Sequence, residues 1–368
     1  MASRGEHRPN TIRDVAARAG VSVSTVSRVM AGDYPVAQAT RQRVQRAIKE
    51  LNYVANTHAR ALVAGSTQTV AFIVNDVRGP AFASAVYGAE QEAARRGRLC
   101  LVCTTEGDPE RELTAVRLMR EQRASAVILI GGAVEDDAYR ARMAEIAHTL
   151  DAAGSRLVLC GRPPLGDDIP ATVVEYDNEA GAYGATAHLL SRGHRRILFL
   201  GGEPAFTTTA GRLSGYRRAL EDHGVPVDPE LIETQVEFTR TSGYEHVRRR
   251  LSSGPPFTAI FAETDIVAGG AMAAVFESGL SVPEDISLVG YDDIPLATDL
   301  RPQLTTVRVP YEELGRSAVR LALELKEGRA GSGSEQHAVF GTHVVVRQSV
   351  AQYVPGPARD ITEVRPTR

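Results

Sequence analysis

Thr11, Asp14, Gly20 and Ser22 are spaced to shape a reading surface rather than to make or break bonds. A threonine three residues ahead of an acid can cap a helix N-terminus reciprocally, side chain to backbone in both directions. Gly20 supplies a turn, and Ser22 can cap a second helix running to about Met30. Two short helices joined by such a turn make a helix-turn-helix, whose second helix fits the major groove of duplex DNA. A third amphipathic helix follows, with Val44, Ile48 and Leu51 on one face to close a small core. Residues 56–62 then link this unit to a much larger one.

Elsewhere the chemistry-bearing residues argue against catalysis. Cys100 and Cys103 have C-x-x-C spacing, but Leu99–Cys103 reads as a buried strand, where residues three apart face opposite sides. Both are expected to be small core residues rather than a redox pair. The nine histidines include no H-E-x-x-H, and His194 reads as a loop residue ahead of a strand. Lys49 and Lys326 are the only lysines, each followed by Glu, so there is no phosphate loop and almost no Schiff-base candidate. G-x-S-x-G and G-x-G-x-x-G are also absent. No catalytic residue, metal site or cofactor is therefore expected, and an enzyme with an appended DNA module is the remote alternative.

Charge divides the chain. Residues 1–66 hold ten Lys or Arg against four acids, leaving the remainder nine charges negative within a total of −3. A basic head attracts phosphates and an acidic body does not. No apolar run approaches the roughly 18 residues of a membrane span, and Met1–Pro9 is polar, so a cytoplasmic protein with no membrane partner is expected.

The elements that must position a site in the body alternate in type. Strands are expected at 70–74, 99–103, 126–130, 197–200, 258–262 and 286–291. Helices are expected at 83–96, 110–122, 178–192, 212–223 and 268–278. Continuous apolar strands between helices indicate parallel sheets covered on both faces, and two successive blocks suggest two doubly wound lobes. A ligand then belongs beyond the carboxyl ends of the strands, between the lobes. Residues 328–334 read as a loop.

Several ordered blocks carry a resemblance. Asp14-Val15-Ala16, Ala19-Gly20-Val21-Ser22, Thr25-Val26-Ser27-Arg28-Val29, Leu51-Asn52-Tyr53 and Asn56-x-x-Ala59-Arg60-x-Leu62 resemble the lac repressor (LacI/GalR) family of bacterial transcription regulators. The likeness continues through Asp177-Asn178-x-x-Gly181, Gly193-His194-Arg195-Arg196-Ile197, Arg212-Leu213-x-Gly215-Tyr216 and Val282-Pro283-Glu284-Asp285-Ile286. Gly290-Tyr291-Asp292-Asp293 and Pro302-x-Leu304-Thr305-Thr306-Val307 extend it almost to the end. It implies an all-α helix-turn-helix headpiece (1–55), a hinge helix and linker (56–66), a two-lobed α/β periplasmic-binding-protein-like effector and dimerisation domain (67–353), and a tail (354–368).

The resemblance also implies roles. Base contacts fall on Val23, Ser24 and Arg28, of which Arg28 can grip a guanine edge bidentately. Thr25 and Ser27 suit phosphate positioning, and Asn56, Arg60 and Leu62 lie in the hinge segment, with Leu62 as the apolar minor-groove wedge. Effector candidates are Arg212, Asp292, Asp265 and Phe238, with Phe82 and Tyr311 beside them. Five departures stand out in the family pattern: Ala55 for proline, Ala37 for a capping serine, Thr264 for asparagine, Gly161 for a frequent aspartate and Val309 for a glutamine. The expected function is a homodimeric repressor that binds double-stranded operator DNA at an inverted repeat and responds to a small-molecule effector, a sugar or sugar-derived metabolite. An effector-dependent activator and a nucleobase-responsive corepressed regulator are the alternatives.

Overall fold

Thr11 and Asp14 form the reciprocal cap their spacing predicts: Thr11 N–H donates to Asp14 Oδ2 at 2.7 Å, and Asp14 N–H to Thr11 Oγ1 at 3.4 Å. The computed structural model describes residues 10–31, 35–53, 68–134, 136–166, 168–253, 257–326 and 337–354. Helix α1 (Ile12–Ala19) stops at Gly20, whose φ of +66° costs a glycine nothing. Ser22 Oγ accepts from Thr25 N–H at 3.2 Å, opening α2 (Val23–Ala31). Helix α3 (Gln38–Glu50) starts at Ala37 with no side-chain cap, the cost expected of the missing serine. Val15, Val26 and Val44, one from each helix, are fully buried and close the three-helix core.

The chain divides into two compact units, 1–67 and 68–368. In the second, the first lobe runs β1 (Thr69–Val74), α4 (Pro80–Arg95), β2 (Leu99–Thr104), α5 (Pro109–Glu121), β3 (Ala126–Ile130), α6 (Asp137–Ala152), β4 (Arg156–Cys160) and β5 (Ala171–Tyr176). The second lobe follows with α7 (Asn178–Ser191), β6 (Ile197–Leu200), α8 (Thr207–Asp222), β7 (Ile232–Glu233), α9 (Arg240–Ser253) and β8 (Ala259–Ala262). It continues with α10 (Asp265–Glu277), β9 (Ser287–Asp292), α11 (Leu296–Asp299) and β10 (Thr305–Arg308). Helix α12 (Tyr311–Lys326), β11 (His337–Phe340) and β12 (His343–Val345) complete the unit.

The strand orders are β11-β5-β4-β3-β1-β2 and β12-β10-β9-β8-β6-β7, with every pair parallel except β10 and β12. The central strands of both sheets are buried on both faces: Val70, Phe72 and Val74 join one core cluster while Ala71 and Ile73 join another, and Ile197 and Phe199 are divided likewise from Leu198 and Leu200. Helix α12 returns to the first lobe and packs on α4 at Gly88 and Gly315, where a Cβ would collide with the facing backbone. The chain thus passes between lobes three times, after β5, after β10 and after β11. These passages are the structural hinge.

Four expectations need correction. Helix α8 begins at Thr207, five residues before Arg212, because Phe206 caps it with no side-chain hydrogen bond and left no signal. No element was expected between 131 and 176, yet α6, β4 and β5 lie there. Leu99–Cys103 is a sheet edge and not a buried strand: Leu99 is 70% exposed, and Leu101 and Val102 are exposed too. Cys100 and Cys103 are accordingly half-buried, packing against different clusters on opposite faces of β2. The hinge candidates Asn56, Arg60 and Leu62, the 328–334 loop and the tail from 355 lie outside the described residues.

Candidate functional site

In the head, burial separates the two faces of α2. Val26 is fully buried, whereas Val23 (41% exposed), Ser24, Ser27 and Arg28 all lie on the solvent face and Thr25 at its edge. Ser22 Oγ sits 2.8 Å from both Ser24 Oγ and Thr25 Oγ1, which orders three hydroxyls at the helix start. An apolar, two hydroxyl and one guanidinium side chain on one helix face are the groups needed to read a major groove and its flanking phosphates.

In the body a cavity of about 700 Å³ lies between the lobes, at the carboxyl ends of both sheets. Phe82, Arg212, Phe238, Asp292 and Tyr311 line it. Arg212 is buried on α8 and uses its donors on several partners at once. Its Nε donates to Asn178 Oδ1 at 2.9 Å, Nη1 to the Glu263 carbonyl at 2.5 Å and Nη2 to Tyr176 OH at 3.4 Å. Asp292 Oδ1 stands 3.6 Å from Nη2 and accepts from Tyr311 OH at 2.7 Å. The guanidinium also lies 3.9 Å over the Tyr291 ring. Arg212 and Asp292 are therefore brought together as parts of one network.

Asp292 is held in an unusual backbone conformation, φ +106°, next to Asp293 at +55°. Such geometry costs on the order of 1–3 kcal/mol and persists only where the surroundings impose it. Arg308 and Arg347 each lie 2.6 Å from a carboxylate oxygen of the neighbouring Asp293 and anchor this turn. Burial pushes the Asp292 carboxyl up to about 6, against the pull of Arg212 and the Tyr311 hydrogen bond.

Asp265 is the expectation that the geometry does not support as a lining residue. It is the first residue of α10, fully buried, and its carboxylate turns beneath the cavity floor to accept from Ile294 N–H at 2.9 Å and Thr306 Oγ1 at 2.5 Å. The preceding cap residue, Thr264, lines the cavity in its place. Val309 packs into the core, while Gly161 lines the wall.

Sequence reasoning missed several residues. Tyr176, Phe206, Thr208, Glu203 and Glu237 line the cavity without belonging to any spaced motif. Glu263 lies just outside it, fully buried, accepting from Gly202 N–H and Thr209 Oγ1 at 2.7 Å each. Burial raises its pKa although Arg212 and these two donors oppose the rise. The apolar run before Thr264 gave no hint of a carboxylate turned inward.

The described residues contain no group of three or more His, Cys, Asp or Glu able to hold a metal, and no helix long and apolar enough to cross a membrane. The cavity has aromatic faces, hydroxyls and one ion pair, but no nucleophile with a base beside it. It is suited to holding a molecule.

Comparison with known proteins agrees with this geometry. Residues 11–56 match bacterial regulatory proteins of the lacI family, and residues 186–350 match the periplasmic binding protein-like domain. The chain is 34% identical over 344 residues to the HTH-type transcriptional regulator DegA of Bacillus subtilis (strain 168), spanning 93% of this chain and 98% of that protein. It is 33% identical over 341 residues to GalR of Escherichia coli (strain K12), spanning 93% and 96%. Among solved structures, the lac repressor dimer bound to operator and the anti-inducer ONPF superposes with a TM-score of 0.79 at 28% identity, covering 94% of this chain and all of that one. The transcriptional regulator CelR–cellobiose complex gives 0.67 at 33% identity, covering 92% and 99%. With these likenesses running the length of both units, the chain belongs to the lacI family of bacterial regulatory proteins.

Proposed function

We propose that this regulator is a cytoplasmic repressor that binds an inverted-repeat operator as a homodimer, with an uncharged sugar in the inter-lobe cavity setting its operator affinity. The observation that carries the reading is the cavity itself, about 700 Å³ with Arg212, Asp292 and Tyr311 joined at its floor. At about 30 Å³ per water, this volume corresponds to roughly twenty waters, room for more than one sugar ring. Phe82, Phe206 and Phe238 offer apolar faces for rings, and Thr208, Thr264 and Asn75 offer hydroxyl and amide partners.

Charge favours an unphosphorylated ligand. Glu203, Glu237 and Asp292, with Asp76 already paired to Arg78, line the cavity against one lining arginine, Arg212, whose donors are already engaged. A phosphate would meet repulsion there and few donors. CelR is a relative solved with cellobiose, which is consistent with a disaccharide-sized ligand.

In the head, Val23, Ser24 and Arg28 are the proposed base readers, with Thr25 and Ser27 on phosphates. The exposed apolar edge of β2 supports the homodimer, since an uncovered edge strand bearing Leu99, Leu101 and Val102 invites pairing. Calorimetric titration with mono- and disaccharides, a hexose phosphate and purine bases tests the ligand class. Binding of a neutral saccharide and not of the phosphate is expected; tight binding of a purine base instead would overturn the sugar assignment.

A further inference from the structure

A main-chain contact joins the two lobes away from the hinge. Thr207 N–H donates to the Ala133 carbonyl at 3.0 Å, Ala133 N–H donates to Thr207 Oγ1 at 3.2 Å, and Val134 bridges Phe206 in antiparallel fashion. Ala133 and Val134 follow β3 of the first lobe; Phe206 and Thr207 open α8 of the second. In the first sheet β3 is separated from the hinge strand β5 by β4, and in the second sheet β9 and β8 lie between β10 and β6. The contact therefore acts at a distance from the hinge, where small lobe rotations become large displacements. Gly132 lies at its tightest point: a Cβ there would come within 2.8 Å of Thr208 Oγ1.

The first-lobe half of this contact is held from behind. Arg162, 4% exposed, donates from Nε to the Gly131 carbonyl at 2.8 Å. Its two terminal nitrogens grip the Glu112 carboxylate at 3.0 and 2.6 Å, and Tyr139 OH donates to the same carboxylate at 3.0 Å. Glu112 comes from α5, Tyr139 from α6 and Arg162 from the end of β4, so side chains from three elements meet around the one guanidinium that holds this carbonyl. A buried pair of this kind gives little net stability, and here its two-pronged geometry orients the guanidinium toward the Gly131 carbonyl. Gly131 and Gly132 on one side, and Phe206 and Thr208 on the other, also line the cavity, so a ligand there meets both halves of the contact.

We infer that the Ala133–Thr207 contact is a latch that sets the lobe arrangement, and that Arg162 is its positioning residue. The latch ties ligand to lobe geometry because a ligand touching both halves binds one arrangement better than the other. This deepens the proposed function, but its test needs neither operator nor ligand.

Thr207→Pro removes both the N–H donor and the Oγ acceptor. Thr207 is the first residue of α8, where proline is tolerated, and Phe206 is already extended at φ −77° and ψ 132°, as a residue before proline must be. The variant should keep its helix content and lose the latch. Two hydrogen bonds, each equivalent to about a fivefold equilibrium factor, predict a roughly fivefold to thirtyfold shift toward open lobes. Small-angle scattering of the full chain reads this as a larger radius of gyration than wild type. Gly132→Ala should produce the same change by wedging the contact and decides the matter if the proline variant fails to fold. Arg162→Lys, which keeps the charge but loses the fork, should show a smaller change in the same direction. Scattering curves for Thr207→Pro and Gly132→Ala superimposable on wild type would overturn the latch; an unresponsive operator alongside opened lobes would count against the proposed function instead.

Discussion

Arg162 in the first lobe and Arg212 in the second are both buried beside a carboxylate, yet they hold it in opposite ways. Arg162 makes a two-pronged grip on Glu112, with nitrogen–oxygen distances of 3.0 and 2.6 Å, behind the cavity wall. Arg212 faces the cavity and approaches Asp292 no closer than 3.6 Å, spreading its donors over Asn178, Tyr176 and a carbonyl. The titrations differ as well. Burial alone would raise Glu112, but the Arg162 charge and hydrogen bonds hold it below its ordinary value, whereas Asp292 is pushed up to about 6. The first pair is complete without a ligand. The second retains unspent acceptor capacity in front of a cavity, which is where a ligand can add something.

Deleting one arginine from each pair should sharpen the contrast. Arg162→Ala leaves Glu112 buried and uncompensated, a loss of about 3–5 kcal/mol measurable by urea denaturation. Arg212→Ala should cost less stability, because Asp292 can take up a proton when its partner is gone. Equal losses in the two variants would mean that the two carboxylates are held alike.

The next effect is on ligand affinity. Asp292→Asn removes a charged acceptor and should weaken sugar binding by about 1.5–3 kcal/mol in calorimetry. Unaltered affinity would mean that the ligand is held elsewhere in the cleft.

A smaller effect belongs to the head. Arg28→Ala should cost roughly 1–3 kcal/mol and relax discrimination at one symmetric pair of operator positions. Uniform weakening across all sequences in a binding selection would make Arg28 a phosphate contact only.

The pH dependence is the finest test. The Asp292 pKa is about 6 in the fold against 3.8 ordinarily, so the folded state holds its proton longer than the unfolded chain does. Its contribution to stability is fully present below about 3.8 and is lost as pH rises through about 6. Asp292→Asn should remove that portion of the slope in denaturation curves taken across this window. In wild type, sugar affinity should fall as pH drops below about 6, where the acceptor becomes protonated.

Legibility from sequence followed local physics. Thr11, Asp14, Gly20 and Ser22 revealed the head because caps and turns depend on neighbours a few residues away. The strands at 126–130 and 197–200 were readable as short, fully apolar runs. Helix α6 was not, since only Met143, Ala147 and Leu150 of its sixteen residues are buried and the apolar period is faint. The start of α8 was hidden because the β-branched run Thr207-Thr208-Thr209 has poor helix propensity; tertiary bonds from Thr207 to Ala133 and from Thr209 to Glu263 hold it. The β2 edge shows a further limit, for apolar residues alone do not say which surface covers them.

At the site, motifs shared with the family point to Arg212, Asp292, Phe238, Phe82 and Tyr311, all of which line one cavity. Asp265 was named with them, but one position separates a lining residue from a buried one at the start of α10: Thr264 faces the cavity and Asp265 turns under it. Arg162, Glu112 and Tyr139 lie 23 to 50 residues apart in sequence, so no spacing could have joined them.

If a ligand between the lobes sets operator affinity, the dissociation constant of the full-length protein for its selected inverted repeat must differ with and without saturating amounts of the sugar found by calorimetry. A change of about five- to 150-fold is expected, the usual range of coupling between two sites. An operator affinity unchanged by a sugar that demonstrably occupies the cavity would contradict it.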